Sequence, residues 1–281
     1  MRHLASIVVP AHNEEATIQA TLSRVLADAE PGEFEVVVVC NGCTDATAEQ
    51  ARRIDGVDVV ELEEASKVAA LREADRRART FPRIYLDADT LLTTDAARAM
   101  ARSLREGDAL VAGVRADYDT SGAGFAARLY TGFWQELPVL SSGIIGAGVY
   151  AMSERGRSRF DRWPAVMGDD QFVYRLFAPE ERVTVTAHRS VVVAPPDLRT
   201  IFRSGVRVRL GNRELTEGRD HEPLSPPPAG LGTALRRSVV RPRALAGALV
   251  FLVVNLGIRV RARVAPGSGD WSRASGDAGR G

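Results

Sequence analysis

The sequence predicts an α/β fold: a mostly parallel, Rossmann-like sheet flanked by helices, with a helical extension on its C-terminal side. Three observations carry this. Phe34 to Val39 is a continuous, largely β-branched run of the kind buried on both faces of a parallel sheet. Strand and helix patterns alternate four times within about the first 115 residues, which calls for right-handed crossovers. The apolar run Ile84-Tyr85-Leu86 ends in Asp87-Ala88-Asp89, two carboxylates delivered to a strand's carboxyl end, where open α/β sheets bind ligands.

The elements follow in order. Leu4 to Val9 is a strand closed by Pro10, and Asn13 precedes a helix with Ile18, Leu22, Val25 and Leu26 on one face. Asn13 is placed to cap that helix or to touch a ligand, and Glu14 and Glu15 suit the positive end of its dipole. After the Phe34 strand, Cys40 to Asp45 forms a turn in which Thr44 or Asp45 caps a helix toward Ala51. Cys40 and Cys43 make half a zinc site or a redox pair, but no second pair completes four soft ligands. Val57 to Leu62 is a strand, and Ser66 opens a helix with Lys67 in its first turn. Lys67 is the only lysine among 37 basic residues, and a cation at a helix N-terminus opposes the dipole, so a ligand contact is the better account of it.

Asp87 and Asp89 can share a hard divalent ion with a phosphorylated substrate, although an isolated Asp-x-Asp is as often a solvated turn. A helix over about Asp95 to Arg105, a strand over Asp108 to Val114 and a polar loop from Arg115 to Gly124 come next. Phe125 to Leu137 is an aromatic helix, with Phe125, Leu129, Tyr130, Phe133 and Trp134 as its apolar stripe. Gly146-Ala147-Gly148 leads into a strand, Val149 to Met152. Asp169-Asp170 stands at a helix start, as a cap or as a carboxylate able to take a proton. Arg182 to Ala187 and Val191 to Val193 read as short strands. Arg199, Arg203 and Arg207 then share a helical face, a crowding that an anion such as a diphosphate relieves.

The 281 residues, 45% hydrophobic and 26% charged, suffice for one large domain with additions. A net charge of +1 gives no global pull toward nucleic acid, and none is expected as a partner. Two cysteines build no disulfide framework, and Met1 to Pro10 is too short and strand-like for a signal peptide, so the body of the protein is expected in the cytoplasm. Pro223 to Gly232 is a Pro-rich linker. Beyond it, Ala244 to Ile258 lacks charge for fifteen residues and is flanked by arginines; seven arginines and no acid lie between 236 and 263. That is short of the about 20 residues a spanning helix needs, so the stretch fits a peripheral anchor on the inner face of the cell membrane, with a buried helix or dimer contact as the competing view. Residues 266–281 are expected to be disordered.

Five stretches taken together resemble family 2 glycosyltransferases: Val9-Pro10-Ala11-His12-Asn13-Glu14-Glu15, Val38-Val39-Cys40-Asn41-Gly42-Cys43-Thr44-Asp45, Lys67 with Ala70-Leu71, Asp87-Ala88-Asp89, and Asp169-Asp170. The resemblance spans about residues 4 to 215. It implies a GT-A fold and inverting transfer from a nucleotide diphosphate sugar, a UDP- or GDP-sugar, to a saccharide or lipid-linked acceptor. A divalent metal, Mg2+ or Mn2+, is implied on Asp89 and Asp87. The nucleotide sugar is implied against Pro10, Ala11, Asn13, Glu14, Asn41, Lys67, Asp87 and Ala88, with Arg203 and Arg207 on the diphosphate. Asp170 falls at the acid that serves as base, and Asp169 replaces a glutamate. The implied domain covers 1–222, with a nucleotide-sugar half to about 115 and an acceptor half from 116, before the apolar helix of 233–265.

Cys40-Asn41 stands where the family usually has two acids, which leaves the nucleobase open. Ser204-Gly205-Val206-Arg207-Val208 keeps only the arginine of the processive Gln-x-x-Arg-Trp, which points to single transfers. His188 and His221 are weak candidates to complete the metal site. A sugar nucleotidyltransferase would want a basic glycine-rich loop after the first strand, and Pro10 to Glu14 is acidic instead. A non-catalytic, membrane-attached nucleotide-sugar binding module is the remaining alternative.

Overall fold

The computed structural model describes residues 3–164, 168–211, 231–238 and 242–264. The first four strands are β1 (Ala5–Ala11), β2 (Phe34–Asn41), β3 (Val57–Leu62) and β4 (Arg83–Leu86). They run parallel in the order β3-β2-β1-β4, joined by helices α1 (Ile18–Leu26), α2 (Thr47–Arg52) and α3 (Lys67–Arg77). β5 (Thr90–Leu91) and α4 (Thr94–Glu106) follow.

Alternation along these strands divides two cores. Ile7, Val9, Val36 and Val38 pack with Leu22, Val25 and Met100 on one face, while Val8, Val37, Val39 and Tyr85 pack with Leu71, Phe172 and Val173 on the other. Consecutive apolar residues, as at Ile7 to Val9 and Val36 to Val39, are what burial on both faces requires.

The later strands are β6 (Val111–Asp119), β7 (Val149–Met152) and β8 (Arg182–Val193). The full order is β3-β2-β1-β4-β7-β6-β8-β5, with β7 antiparallel to both β4 and β6 and β5 antiparallel to β8. The sheet is therefore mixed on this side. The expected polar loop after Val114 is strand as far as Asp119. Parallel pairing with β8 across an irregularity at Val114/Arg115 satisfies its backbone despite the polar side chains. For the same reason the two short strands expected between Arg182 and Val193 are one strand of 12 residues.

Helices α5 (Phe125–Trp134), α6 (Glu154–Arg157), α7 (Asp169–Leu176), α8 (Leu198–Gly211), α9 (Leu231–Ser238) and α10 (Pro242–Val264) complete the described chain. Phe125, expected on the inward stripe of α5, is 79% exposed, whereas Phe133 is buried. α9 begins inside the expected linker; the rest of that linker, His221 and the expected disordered tail lie outside the described residues.

α10 runs for 23 residues, longer than its uncharged stretch, because Arg259, Arg261 and Arg263 continue the helix instead of ending it. By length and composition it is long enough to cross a membrane, which corrects the reading that it is too short. One face of it packs on α5 and α8. A Cβ at Gly247 would lie 2.5 Å from the Leu129 carbonyl oxygen, and one at Gly205 2.4 Å from Ile258 Cδ1, so glycine sets how closely these helices approach.

Candidate active site

The carboxyl ends of β1 and β4, the start of α3 and the start of α7 converge. Ser66 caps α3 by accepting from Ala69 N–H (3.2 Å), which fixes Lys67 at the first helical position. The Lys67 ammonium lies 2.8 Å from Asp87 Oδ1 and 2.7 Å from Asp169 Oδ1, joining two segments 82 residues apart in sequence. Burial disfavours the ammonium, but Asp169 and Asp87 more than offset this and hold it charged well above the usual lysine range. Asp87 experiences the converse: burial pushes its carboxyl up and Lys67 opposes the rise.

Asp169 is buried, and its second oxygen accepts from the Tyr150 hydroxyl at 2.8 Å. Asp170 is tied differently. Its Oδ2 accepts from Gly146 N–H (3.1 Å), and no cation is paired with it among the described residues. Burial, and then the neighbouring Asp169, push its carboxyl up to about 6. Gly148 N-terminal to β7 has φ +65°, and a Cβ there would lie 2.0 Å from Thr90 Oγ1; the loop closes on β5 only because that atom is missing. Gly148 O accepts from Asp87 N–H (2.8 Å), so this one turn braces the metal-ligand candidates and, through Gly146, the candidate base.

Asp89 is exposed and Asp87 is partly open. Glu14 stands near both: burial raises its carboxyl and Thr17 opposes this, while Asp89 and Asp87 raise it further. Pro10 and Ala11 end β1, buried beside Val39 and Cys40. Ala88 faces the core and its carbonyl accepts from Thr21 Oγ1 (2.9 Å).

Asn13 does not cap α1, whose N-cap is Thr17. It sits at φ +55° with its side-chain oxygen accepting from Thr44 N–H (2.8 Å), tying the two turns together. Glu14 and Glu15 likewise lie before the first turn of α1. Neither Thr44 nor Asp45 is the N-cap of α2, which is Ala46; Asp45 Oδ1 accepts from Thr47 N–H (3.0 Å) just ahead of the helix. Asn41 is buried, donating to Ala11 O (2.8 Å) and accepting from Ser66 N–H (3.2 Å). Arg203 and Arg207 are exposed on α8, and no contact joins them to the acids among the described residues.

No group of three metal-binding side chains occurs among the described residues, and His188 stands apart on β8. Asp87 and Asp89 nevertheless suit Mg2+ or Mn2+, which commonly combine one or two carboxylates with phosphate oxygens and water. Reading the sequence missed Tyr150, Tyr118 and the Gly146 amide. Tyr150 alternates with Val149 and Ala151 along a strand, which marks it as core and conceals its hydroxyl contact.

A family model, "Glycosyl transferase family 2", matches residues 6–152, which includes β1, β4, Lys67 and the Asp87-Ala88-Asp89 turn. The chain belongs to glycosyl transferase family 2. This glycosyltransferase is similar in fold to a mannosyltransferase from Pyrobaculum calidifontis in complex with GDP-Man and Mn2+, at 21% identity over 95% of this chain and 77% of that one, with a TM-score of 0.61. Glucosyl-3-phosphoglycerate synthase from Mycobacterium tuberculosis, in complex with Mn2+, UDP and phosphoglyceric acid, aligns with a TM-score of 0.54 at 21% identity, covering 80% of this chain and 90% of that one. TarS from S. aureus, in complex with UDP, gives 0.51 at 17% identity over 75% and 65%. No curated protein matches the glycosyltransferase in sequence.

Proposed function

We propose that this glycosyltransferase inverts configuration, moving one sugar at a time from a UDP- or GDP-sugar to an acceptor hydroxyl in the assembly of cell-envelope polysaccharide or glycolipid. The observation that carries the reading is the unequal treatment of two adjacent acids. Asp169 is neutralised by Lys67 and held by Tyr150, whereas Asp170 is aimed by two backbone amides, Gly146 N–H on one oxygen and Gln171 N–H on the other, and raised to about 6, within reach of a working base.

In the step proposed, the acceptor oxygen attacks the anomeric carbon from the side opposite the diphosphate. The new C–O bond forms as the bond to the diphosphate breaks, the hydroxyl proton passes to Asp170, and the nucleoside diphosphate leaves. Asp87 and Asp89 would hold the divalent ion, which when bound neutralises charge on the departing diphosphate. Arg203 and Arg207 are assigned to that anion, and Glu14, Asn13 and the ends of β1 and β2, with Ala11 and Asn41, to the nucleoside side. The lack of a processive motif around Arg207 supports single transfers. The solved relatives named above, bound to GDP-Man or UDP with Mn2+, support the donor class and the metal.

The outer face of α10 supports peripheral attachment to the inner face of the cell membrane. Leu249, Val253, Leu256 and Val260 are each more than half exposed on one stripe, with exposed Arg243, Arg259, Arg261 and Arg263 near its ends.

A thermal-shift panel of UDP-, GDP- and dTDP-sugars with and without Mn2+ tests the donor site. Metal-dependent stabilisation by one donor, lost in Asp89→Ala, is expected, followed by a product whose anomeric configuration by NMR is opposite to the donor's. A retained configuration would overturn inversion, and no response to any donor would overturn the whole reading.

A further inference from the structure

Tyr118 stands on the outer part of β6, where exposed Arg115, Asp117 and Asp119 alternate with half-buried Ala116 and Tyr118. A chain of three hydrogen bonds runs through its hydroxyl to the candidate base. Trp134 Nε1–H on α5 donates to the Tyr118 hydroxyl (3.1 Å), that hydroxyl donates to Gly146 O (2.6 Å), and Gly146 N–H donates to Asp170 Oδ2 (3.1 Å). The direction of the first two bonds is forced. An indole nitrogen only donates and a carbonyl oxygen only accepts, so the phenolic hydrogen goes to Gly146. Burial pushes the Tyr118 phenol above its ordinary range, with Trp134 opposing and the Asp170 charge adding to the rise, so the hydroxyl keeps its proton and remains a donor at working pH.

Gly146 is the soft link of this chain. It holds φ +67°, and a Cβ there would lie 2.7 Å from the Tyr118 hydroxyl oxygen, so conformation and contact both call for glycine. Glycine is also the residue freest to leave such a conformation, and this one carries an amide that meets Asp170. The other amide on Asp170, Gln171 N–H (2.7 Å), is its immediate neighbour and moves with it on α7. Gly146, 24 residues away, ties the carboxylate to a separate part of the molecule. Anchoring the Gly146 carbonyl restrains the turn, and with it the direction of that amide.

We propose that Tyr118 is a positioning residue for Asp170: its hydroxyl, oriented by Trp134, locks the Gly146 turn so that the Gly146 amide keeps the carboxylate in one place. Its part in transfer rests on the reading of Asp170 as base, while the coupling of Tyr118 to Asp170 can be measured without any donor.

Tyr118→Phe removes one oxygen and keeps the ring. It should lower kcat for transfer about ten-fold while the donor KM and the donor-induced thermal shift stay unchanged. On the Asp170→Asn background the same change should cost nothing further, because it acts through that carboxylate. Burial and the charges of Asp169 and Asp87 raise the Asp170 carboxyl, while Gly146 N–H and Lys67 lower it. A loosened Gly146 contact favours the charged form less, so the acid limb of the pH profile should move upward by about half a pH unit. The same shift should appear in the carboxyl 13C NMR titration of Asp170 in the free protein, assigned by its loss in Asp170→Asn. Trp134→Phe, which leaves Tyr118 its bond to Gly146, should move both readouts in the same direction and by less. An unchanged Asp170 titration in Tyr118→Phe would overturn the proposal, and so would an equal fractional loss of kcat on the Asp170→Asn background. Full transfer by Asp170→Asn itself would sink the base reading instead, and the carboxyl titration would still decide whether Tyr118 positions Asp170.

Discussion

β1 and β2 on one side of the molecule and α10 on the other treat apolar surface in opposite ways. Ile7, Val8 and Val9 are fully buried, and helices cover both faces of their sheet. α10 buries Ala248, Phe251 and Ile258 but leaves Leu249, Val253 and Leu256 in solvent. The parallel half leaves no large apolar side chain exposed among the described residues, and acids such as Glu14, Asp87 and Asp89 follow its strand ends, as the proposed metal-bound, water-soluble donor requires. The α10 side keeps apolar area uncovered, the face to which the proposed membrane attachment is assigned.

Several changes would break or sharpen that contrast. The largest effect is expected at the acids where the two sides meet: Asp170→Asn should lower transfer by about 10²–10⁴-fold while the donor-induced thermal shift persists, measured by product formation and melting in parallel. Next, Leu22→Ala in the closed core should cost about 2–5 kcal/mol in chemical denaturation, against about 0.5 kcal/mol or less for Val253→Ala on the open stripe; equal costs would erase the distinction. Gly247→Ala, which forces a Cβ against Leu129 O, should cost about 1–3 kcal/mol by the same measurement and loosen α10 from α5. Transfer should rise with pH through about 6, because Asp170 must be ionised to accept a proton, and a step from pH 5 to pH 7 should raise kcat/KM by about ten-fold. The smallest effect on the folded protein is expected for Leu249→Asp with Val253→Asp, which should leave the melting temperature nearly unchanged yet abolish sedimentation with anionic vesicles.

Much of the closed half was legible in the sequence because each of its signals is local. The runs at Val36 to Val39 and Ile84 to Leu86 are buried on both faces and so show no polar positions to confuse them. Asp87 and Asp89 stood out for the same reason, as acids at the abrupt end of such a run. The other half depends on partners far along the chain. β6 continues to Asp119 because β8 supplies its hydrogen bonds, which polar residues 115–119 do not reveal. Asn13 looked like a cap because it precedes an amphipathic run, but Thr44, 31 residues on, takes its oxygen. The pair Asp169-Asp170 was visible, whereas the difference between them was not: it is set by Lys67, Tyr150 and Gly146, each at least 19 residues away.

The antiparallel strand β7 between β4 and β6 has a consequence for synthesis. Translation delivers β1, β2, β3 and β4 with their helices first, and hydrophobic burial can assemble them as they emerge. β5 and β6 come next but neither pairs with β4; the later strand that does, β7, is completed only at Met152. Throughout that interval β4 is an open edge, with unpaired N–H and C=O groups and the alternating Ile84, Tyr85 and Leu86 beside them, a template for a neighbouring nascent chain. The strand whose Tyr150 holds Asp169 is thus also the one that ends the chain's exposure to misassembly, and slow decoding between codons 87 and 149 would lengthen the hazard.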